Sequence, residues 1–118
     1  MKTLTRHSLI TFILFLGLNA FVQASIHCHT PRQKKIFKVD NQRVTFMIEG
    51  LNGRLPASLG GIRTRRKGNG FTKVVHFEGH KHTIHIQDTN NFSDLNDYLV
   101  IKSRRGHEIT YPITCKRK

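Results

Sequence analysis

Alternating apolar and polar residues dominate the chain after residue 24, and runs with the 3.6-residue period of a helix are nearly absent. One face of a predicted strand carries His82, Ile84 and Ile86, whereas the other face carries Thr83 and His85. A period of two is typical of half-buried β-strands. Similar alternation occurs at 36–39, 44–48, 71–77, 98–102 and 109–115. We therefore expect an all-β domain.

Glycine-rich turns separate these runs. Gly68-Asn69-Gly70 supplies positions with positive φ for a hairpin between 62–67 and 71–77, and Glu78-Gly79 begins another tight turn. The stretch from Gly50 to Gly61, rich in glycine and proline, is interpreted as a long loop. We expect seven or eight strands that form a small antiparallel barrel or a sandwich.

Two runs near the C-terminus make more specific predictions. In the strand at 98–102, Tyr98 and Val100 lie on one face and Leu99 and Ile101 on the other. Apolar residues on both faces indicate that this strand is covered on both sides. Residues 109–115 are interpreted as a single strand whose odd-numbered side chains face inward, down to Cys115. Pro112 lacks an N–H group, so this strand should have one unpaired edge.

Cys28 and Cys115 are the only two cysteines of the chain. Each shares the inward-facing register of its apolar neighbours, at opposite ends of the predicted domain. We expect a disulfide that joins the first and last strands, because paired cysteines in an exported chain are oxidised. Closing so long a loop stabilises a protein by roughly 4–5 kcal/mol in the chain-entropy model.

The first 24 residues have the order of a secretory signal. Lys2 and Arg6 precede an apolar run at 9–22, which ends in Val22-Gln23-Ala24 with small residues at the −3 and −1 positions. The run is too short to favour a membrane anchor, which needs roughly 20 apolar residues. We expect residues 1–24 to be a signal peptide and residues 25–118 to form a single exported domain, periplasmic or extracellular.

Positive charge is the other gross feature of the chain. The formal net charge is +13, and after residue 24 there are still 18 of the 20 basic residues and all seven acids, which leaves +11. Such a field attracts anionic partners, whether nucleic acid, lipopolysaccharide, an acidic glycan or a lipid surface. The basic residues cluster around two turns, and the candidate polyanion-binding residues are Arg63, Arg65, Arg66, Lys67, Lys102, Arg104 and Arg105.

Histidines provide candidate metal ligands. His80 and His82 share one face of a strand, and cleavage after Ala24 would place His27 third from a new N-terminus. A free amine, two amides and that imidazole form a square-planar site suited to Cu(II) or Ni(II). Surface or turn histidines in a basic protein are nevertheless the favoured interpretation, because zinc sites usually take three or four ligands. We therefore expect no cofactor.

Catalysis is the weaker functional hypothesis. Glu78 lies between His76 and His80, with Arg65 expected nearby across the hairpin, which is the best constellation for a secreted ribonuclease or phosphodiesterase. The known nucleophile, phosphate-loop and zinc-protease motifs are absent from the sequence. The sequence favours a basic binding protein over an enzyme, and an envelope protein that binds or inhibits another protein is a third alternative.

Overall fold

Ten β-strands and one 3₁₀ turn make up the described part of the chain, which in this computed structural model comprises residues 25–50, 53–60 and 63–118. The predicted signal peptide, residues 1–24, lies outside these ranges. The strands are β1 (Ile26–His29), β2 (Ile36–Val39), β3 (Val44–Gly50), β4 (Gly53–Leu59), β5 (Arg63–Lys67), β6 (Gly70–Phe77), β7 (His80–Ile86), β8 (Tyr98–Lys102), β9 (Glu108–Pro112) and β10 (Thr114–Arg117). The 3₁₀ turn, Pro31–Gln33, joins β1 to β2. Within the described ranges, no helix has the length and hydrophobicity to cross a membrane.

The strands form two five-stranded antiparallel sheets. Sheet A has the order β10-β1-β2-β3-β4 and sheet B the order β5-β6-β7-β8-β9. Because the last strand returns to pair with the first, sheet A contains both ends of the described chain. The all-β prediction is confirmed, and the arrangement is sandwich-like, with no closed barrel.

The inner faces of both sheets share one hydrophobic core. The rings of Phe46 from sheet A and Phe77 from sheet B stack with their centroids 4.5 Å apart. His82 lies against both rings and is 1% exposed, as the inward register of β7 predicts. The buried apolar residues are Ile26, Cys28, Phe37, Val39, Val44, Phe46, Phe71, Val75, Ile84, Ile86, Leu99, Ile113 and Cys115.

The predicted disulfide is confirmed. Cys28 in β1 and Cys115 in β10 are directly opposite each other in the strand pairing, and their sulfurs are bonded across 87 residues of sequence. Strand β10 lies at the edge of sheet A and pairs only with β1. The disulfide therefore attaches this terminal strand covalently to the interior of the sheet.

Two predicted turns are also confirmed. Gly68 has φ of 58° in a two-residue connection between β5 and β6, and Glu78 and Gly79 have φ of 53° and 77° between β6 and β7. Positive φ at both loop positions makes the Glu78-Gly79 turn type I′, whereas positive φ at the first position alone makes the Gly68-Asn69 turn type II′, and both types fit the twist of the adjoining strands. Gly70 has another role, because a Cβ atom there would collide with the backbone carbonyl oxygens of Ile86 and Gln87.

The strand count and two element boundaries were predicted wrongly. The expected loop from Gly50 to Gly61 contains β4, an exposed edge strand in which Pro56 is tolerated because one side is unpaired. The expected strand 109–115 divides at the buried Ile113, so that β9 belongs to sheet B and β10 to sheet A. Pro112 does lie on an edge strand, as predicted, because β9 borders sheet B.

Candidate anion-binding face

Strand β5 divides the predicted basic cluster between two faces. Arg63, Arg65 and Lys67 alternate with Thr64 and Arg66, and all five are exposed. Thr64 and Arg66 pair with inward-facing residues of β6, and Nη2 of Arg66 donates a hydrogen bond of 3.2 Å to the side-chain oxygen of Asn41 in sheet A. The other three residues share the outer face of sheet B, so three of the four predicted hairpin residues are placed together.

The strand register extends this outer face across the sheet. Arg65 is aligned through Thr72 and His85 with Tyr98, and Lys81 lies directly opposite Lys102. We call this surface the basic face. It carries Arg63, Arg65, Lys67, His76, Lys81, His85, Tyr98 and Lys102. Within the five strands of sheet B, Glu108 is the one acidic residue, paired with Lys102.

The basic face concentrates like charges at a cost to stability. Residues on the same side of a strand are about 7 Å apart, and neighbouring strands are about 4.8 Å apart. Lys81 and Lys102 therefore repel each other as a direct cross-strand pair, which destabilises a sheet. Glu108, which lies opposite Lys102 on its other side, offsets part of this repulsion.

An aromatic stack lies on the same face. The ring of Tyr98 stacks on His85 with centroids 4.7 Å apart and planes inclined by 21°. The two ring nitrogens of His85 lie 2.9 Å from Oγ1 of Thr72 and 3.2 Å from Oε1 of Gln87, so the imidazole is held on both sides. Tyr98 is 37% exposed, which corrects the expectation that β8 is covered on both faces.

Arg104 and Arg105 are separated from the hairpin cluster. They occupy the β8–β9 turn, where Ser103 N donates to the His107 carbonyl over 2.8 Å, and they line a shallow depression beside the β6–β7 turn. The glycine turn at Gly68 is at the other end of β6, which is about 23 Å long. Lys81 and Lys102 lie near the end of sheet B that carries Arg104. The cluster on β5 and the cluster around the β8–β9 turn are therefore at opposite ends of the sheet.

The candidate metal ligands are dispersed. His82 is buried in the core with Nδ1 3.1 Å from the carbonyl oxygen of His80, whereas His80 is exposed. His27 lies in β1, which is paired on both sides, so a square-planar site that uses the amides of residues 26 and 27 would compete with strand pairing. Burial, with a contribution from Lys118, lowers the pKa of His27. Among the described residues, no group of three or more His, Cys, Asp or Glu side chains is placed to hold a metal ion.

The catalytic constellation considered from sequence is not assembled. Arg65 pairs with Thr72, which is six residues before Glu78 and therefore about 20 Å away along β6. Glu78 occupies a turn position, and its carbonyl oxygen is 2.8 Å from Nδ1 of His80. The backbone of Glu78 therefore forms part of the turn, and the β5–β6 hairpin brings no arginine to this residue.

In comparisons with known proteins, no family model, no curated protein and no solved structure matches the chain.

Proposed function

We propose that the protein binds a polyanion across the basic face of sheet B. The observation that carries this proposal is the strand register, which puts Arg63, Arg65 and Lys67 of β5 on the same face of the sheet as the cations of β7 and β8. Neutralising several adjacent phosphate or sulfate groups releases their counterions, which is the main source of affinity for such ligands.

Secondary structure favours this mode of binding. The charges lie on strands, and the neighbouring hairpin is closed by a two-residue turn in which Gly68 has positive φ. Side chains on a rigid element lose less entropy on binding than side chains on a mobile loop. The proposal includes export of the protein, which the Cys28–Cys115 disulfide supports because such bonds persist in oxidising compartments.

The test compares two double variants that each remove two positive charges. Arg63→Gln with Arg65→Gln acts on the basic face, whereas Lys38→Gln with Lys116→Gln acts on the outer face of sheet A. Affinity for heparin and for single-stranded RNA would be measured by titration at several salt concentrations. We expect the first variant to lower the affinity. It should also make the slope of log K against log salt shallower, by the contribution of about two neutralised phosphate or sulfate groups. The second variant should change neither quantity.

Equal losses in both variants would show that attraction is diffuse over the whole molecule, contrary to the proposal. Wild type that binds neither ligand at low salt would also contradict it. Intact RNA should be recovered from each mixture, since cleavage would favour the alternative of a secreted ribonuclease.

A further inference from the structure

A second candidate site lies away from the basic face, at one end of the sandwich where sheet A meets sheet B. It is a cleft of about 360 Å³ between β2, β3 and β4 of sheet A and the β6–β7 turn of sheet B. The lining residues that matter for a ligand are Lys34, Lys35, Ile48, Arg54, Phe77 and Glu78. Small-molecule sites measure roughly 300–1,000 Å³, so the cleft has room for one small ligand.

The floor of this cleft is apolar. Ile48 and Phe77 are half-buried and supply its exposed apolar surface, whereas Phe46, which stacks on Phe77, is 2% exposed and supports that ring from within the core. His82 packs behind the two rings, and its Nε2 is a buried atom with no hydrogen-bond partner among the described residues. Burial lowers the pKa of His82, so the floor is uncharged at neutral pH. Such a surface suits a hydrocarbon chain.

The rim of the cleft is cationic. Lys34, Lys35 and Arg54 line it together with Glu78, and Glu49 is opposite Arg54 in the pairing of β3 with β4. Nη2 of Arg54 donates a hydrogen bond of 3.3 Å to the carbonyl oxygen of Gln33, which connects β4 to the segment that carries both lysines. An anionic head group at this rim would therefore meet more positive than negative charge.

The segment that carries the lysines is fixed before any ligand arrives. Thr30 is 1% exposed, and its Oγ1 accepts a hydrogen bond of 2.9 Å from the backbone N–H of Lys35. The backbone N–H of Thr30 in turn donates to the carbonyl of Lys35 over 3.0 Å. Between them, Arg32 and Gln33 have φ of 60° and 53°, a left-handed conformation that is unusual for two consecutive residues other than glycine. Strained backbone that is held in this way is often found at binding sites.

From the apolar floor, the cationic rim and the fixed segment, we propose that this cleft binds a single-chain anionic amphiphile, an alkyl carboxylate or an alkyl phosphate. The chain lies against Ile48 and Phe77, and the head group is held by Lys34 and Lys35. A polyanion would leave the apolar floor uncovered, and a neutral chain would make no use of the rim. The site shares no residue with the basic face, so this proposal and the polyanion proposal can be tested independently of each other.

The experiment titrates the oxidised protein with decanoate and decyl phosphate, each below its micelle concentration. Decanol has the chain without the charge and butyrate has the charge without the chain, so each serves as a matched control. We expect one decanoate or one decyl phosphate per protein, with decanol and butyrate at least about tenfold weaker, because a charge-assisted hydrogen bond is worth roughly that factor. Binding of only one of the two anions would identify the head group.

Variants of the rim test the position of the ligand. Lys34→Gln with Lys35→Gln should weaken binding about tenfold, whereas Lys38→Gln with Lys116→Gln should leave it unchanged. Glu78→Gln, which removes the acid, should strengthen it. Amide and side-chain NMR shifts should change at Ile48 and Phe77 and not at Tyr98. The proposal is overturned if decanol binds as tightly as the anions, if the two lysine variants behave alike, or if neither anion binds at 1 mM.

Discussion

Nζ of Lys73 in sheet B donates a hydrogen bond of 3.1 Å to the backbone carbonyl of Asn41 in the β2–β3 turn of sheet A. Lys73 is only 3% exposed, and it makes a second hydrogen bond of 2.7 Å to Oγ1 of Thr64. Burial, together with the nearby charge of Arg66, lowers the pKa of this lysine. A cation thus connects the two sheets at a position where the alternating pattern of β6 calls for an apolar side chain.

Replacing this cation with an apolar side chain of similar shape should stabilise the protein. Lys73→Met removes the cost of burying the charge, and the two acceptors that lose a partner belong to exposed residues that water can reach. We expect the free energy of unfolding to rise by about 1 kcal/mol at pH 7, measured by urea denaturation. Lys73→Ala is the control that leaves a cavity, and it should destabilise the protein.

The pH dependence separates this explanation from simple packing. Because the pKa of Lys73 is lowered from 10.5 in the folded state, the unfolded chain binds the proton more tightly, and wild-type stability rises with pH up to about that value. The advantage of Lys73→Met should therefore shrink between pH 7 and pH 10.5. An advantage that stays constant with pH would mean that the charge is not its cause.

Removing the disulfide should cost several kcal/mol. The bond closes a loop of 87 residues, for which the chain-entropy model gives about 4–5 kcal/mol. A variant with Cys28→Ala and Cys115→Ala should lose about this much in urea denaturation, and hydrogen exchange should be fastest in β10, which pairs only with β1. Reduced wild type is the matched control. Equal denaturation midpoints for oxidised and reduced protein would contradict the prediction.

Acid should destabilise the fold through His82. Its pKa is lowered from 6.5 chiefly by burial, so the unfolded chain takes up a proton that the folded protein resists. The stabilising contribution of the neutral ring is present above about pH 6.5 and is lost as the pH falls towards the lowered value. His82→Leu should flatten stability between pH 7 and pH 5, as measured by urea denaturation at each pH.

His27 provides a comparison within the same window, because its pKa is also lowered. His27→Gln should remove a smaller part of the pH dependence, since His27 is only partly buried whereas His82 is 1% exposed. If the acid slope of His82→Leu equals that of wild type, the buried ring is not responsible for it.

Much of the fold could be predicted from local pattern. The alternation in β7 identified His82, Ile84 and Ile86 as inward-facing, and the glycines identified the β5–β6 turn. Strand β4 was missed because an exposed edge strand needs no hydrophobic face, and its Pro56 resembles a loop residue. The change of sheet at Ile113 was missed because alternation reports which side a residue faces, not which sheet it belongs to.

The candidate site could be predicted less completely for a related reason. Arg63, Arg65 and Lys67 were recognised from their sequence cluster, whereas Lys81 and Tyr98 join them only through the pairing of β6, β7 and β8. Strand order is not encoded in any single segment. The outward register of Thr83 and His85 was correctly predicted, and it marked the face on which the aromatic stack lies.

Tyr98 should decide which polyanion the basic face prefers. Its ring rests on His85 on one side and is 37% exposed, so an unstacked base can pack against it. Stacking of a base on an aromatic side chain is worth about 1–3 kcal/mol, and a sulfated glycan has no base to stack. We expect Tyr98→Ala to weaken binding of single-stranded RNA by about tenfold while heparin affinity stays unchanged, and Tyr98→Phe to bind both ligands as wild type does.

The salt slope should not change in either variant, because Tyr98 contributes no charge. Fluorescence titration with both ligands at two salt concentrations measures each quantity. If Tyr98→Ala weakens the binding of RNA and of heparin equally, the ring only supports the strand. If it weakens the binding of neither ligand, the basic face recognises its ligands by charge alone.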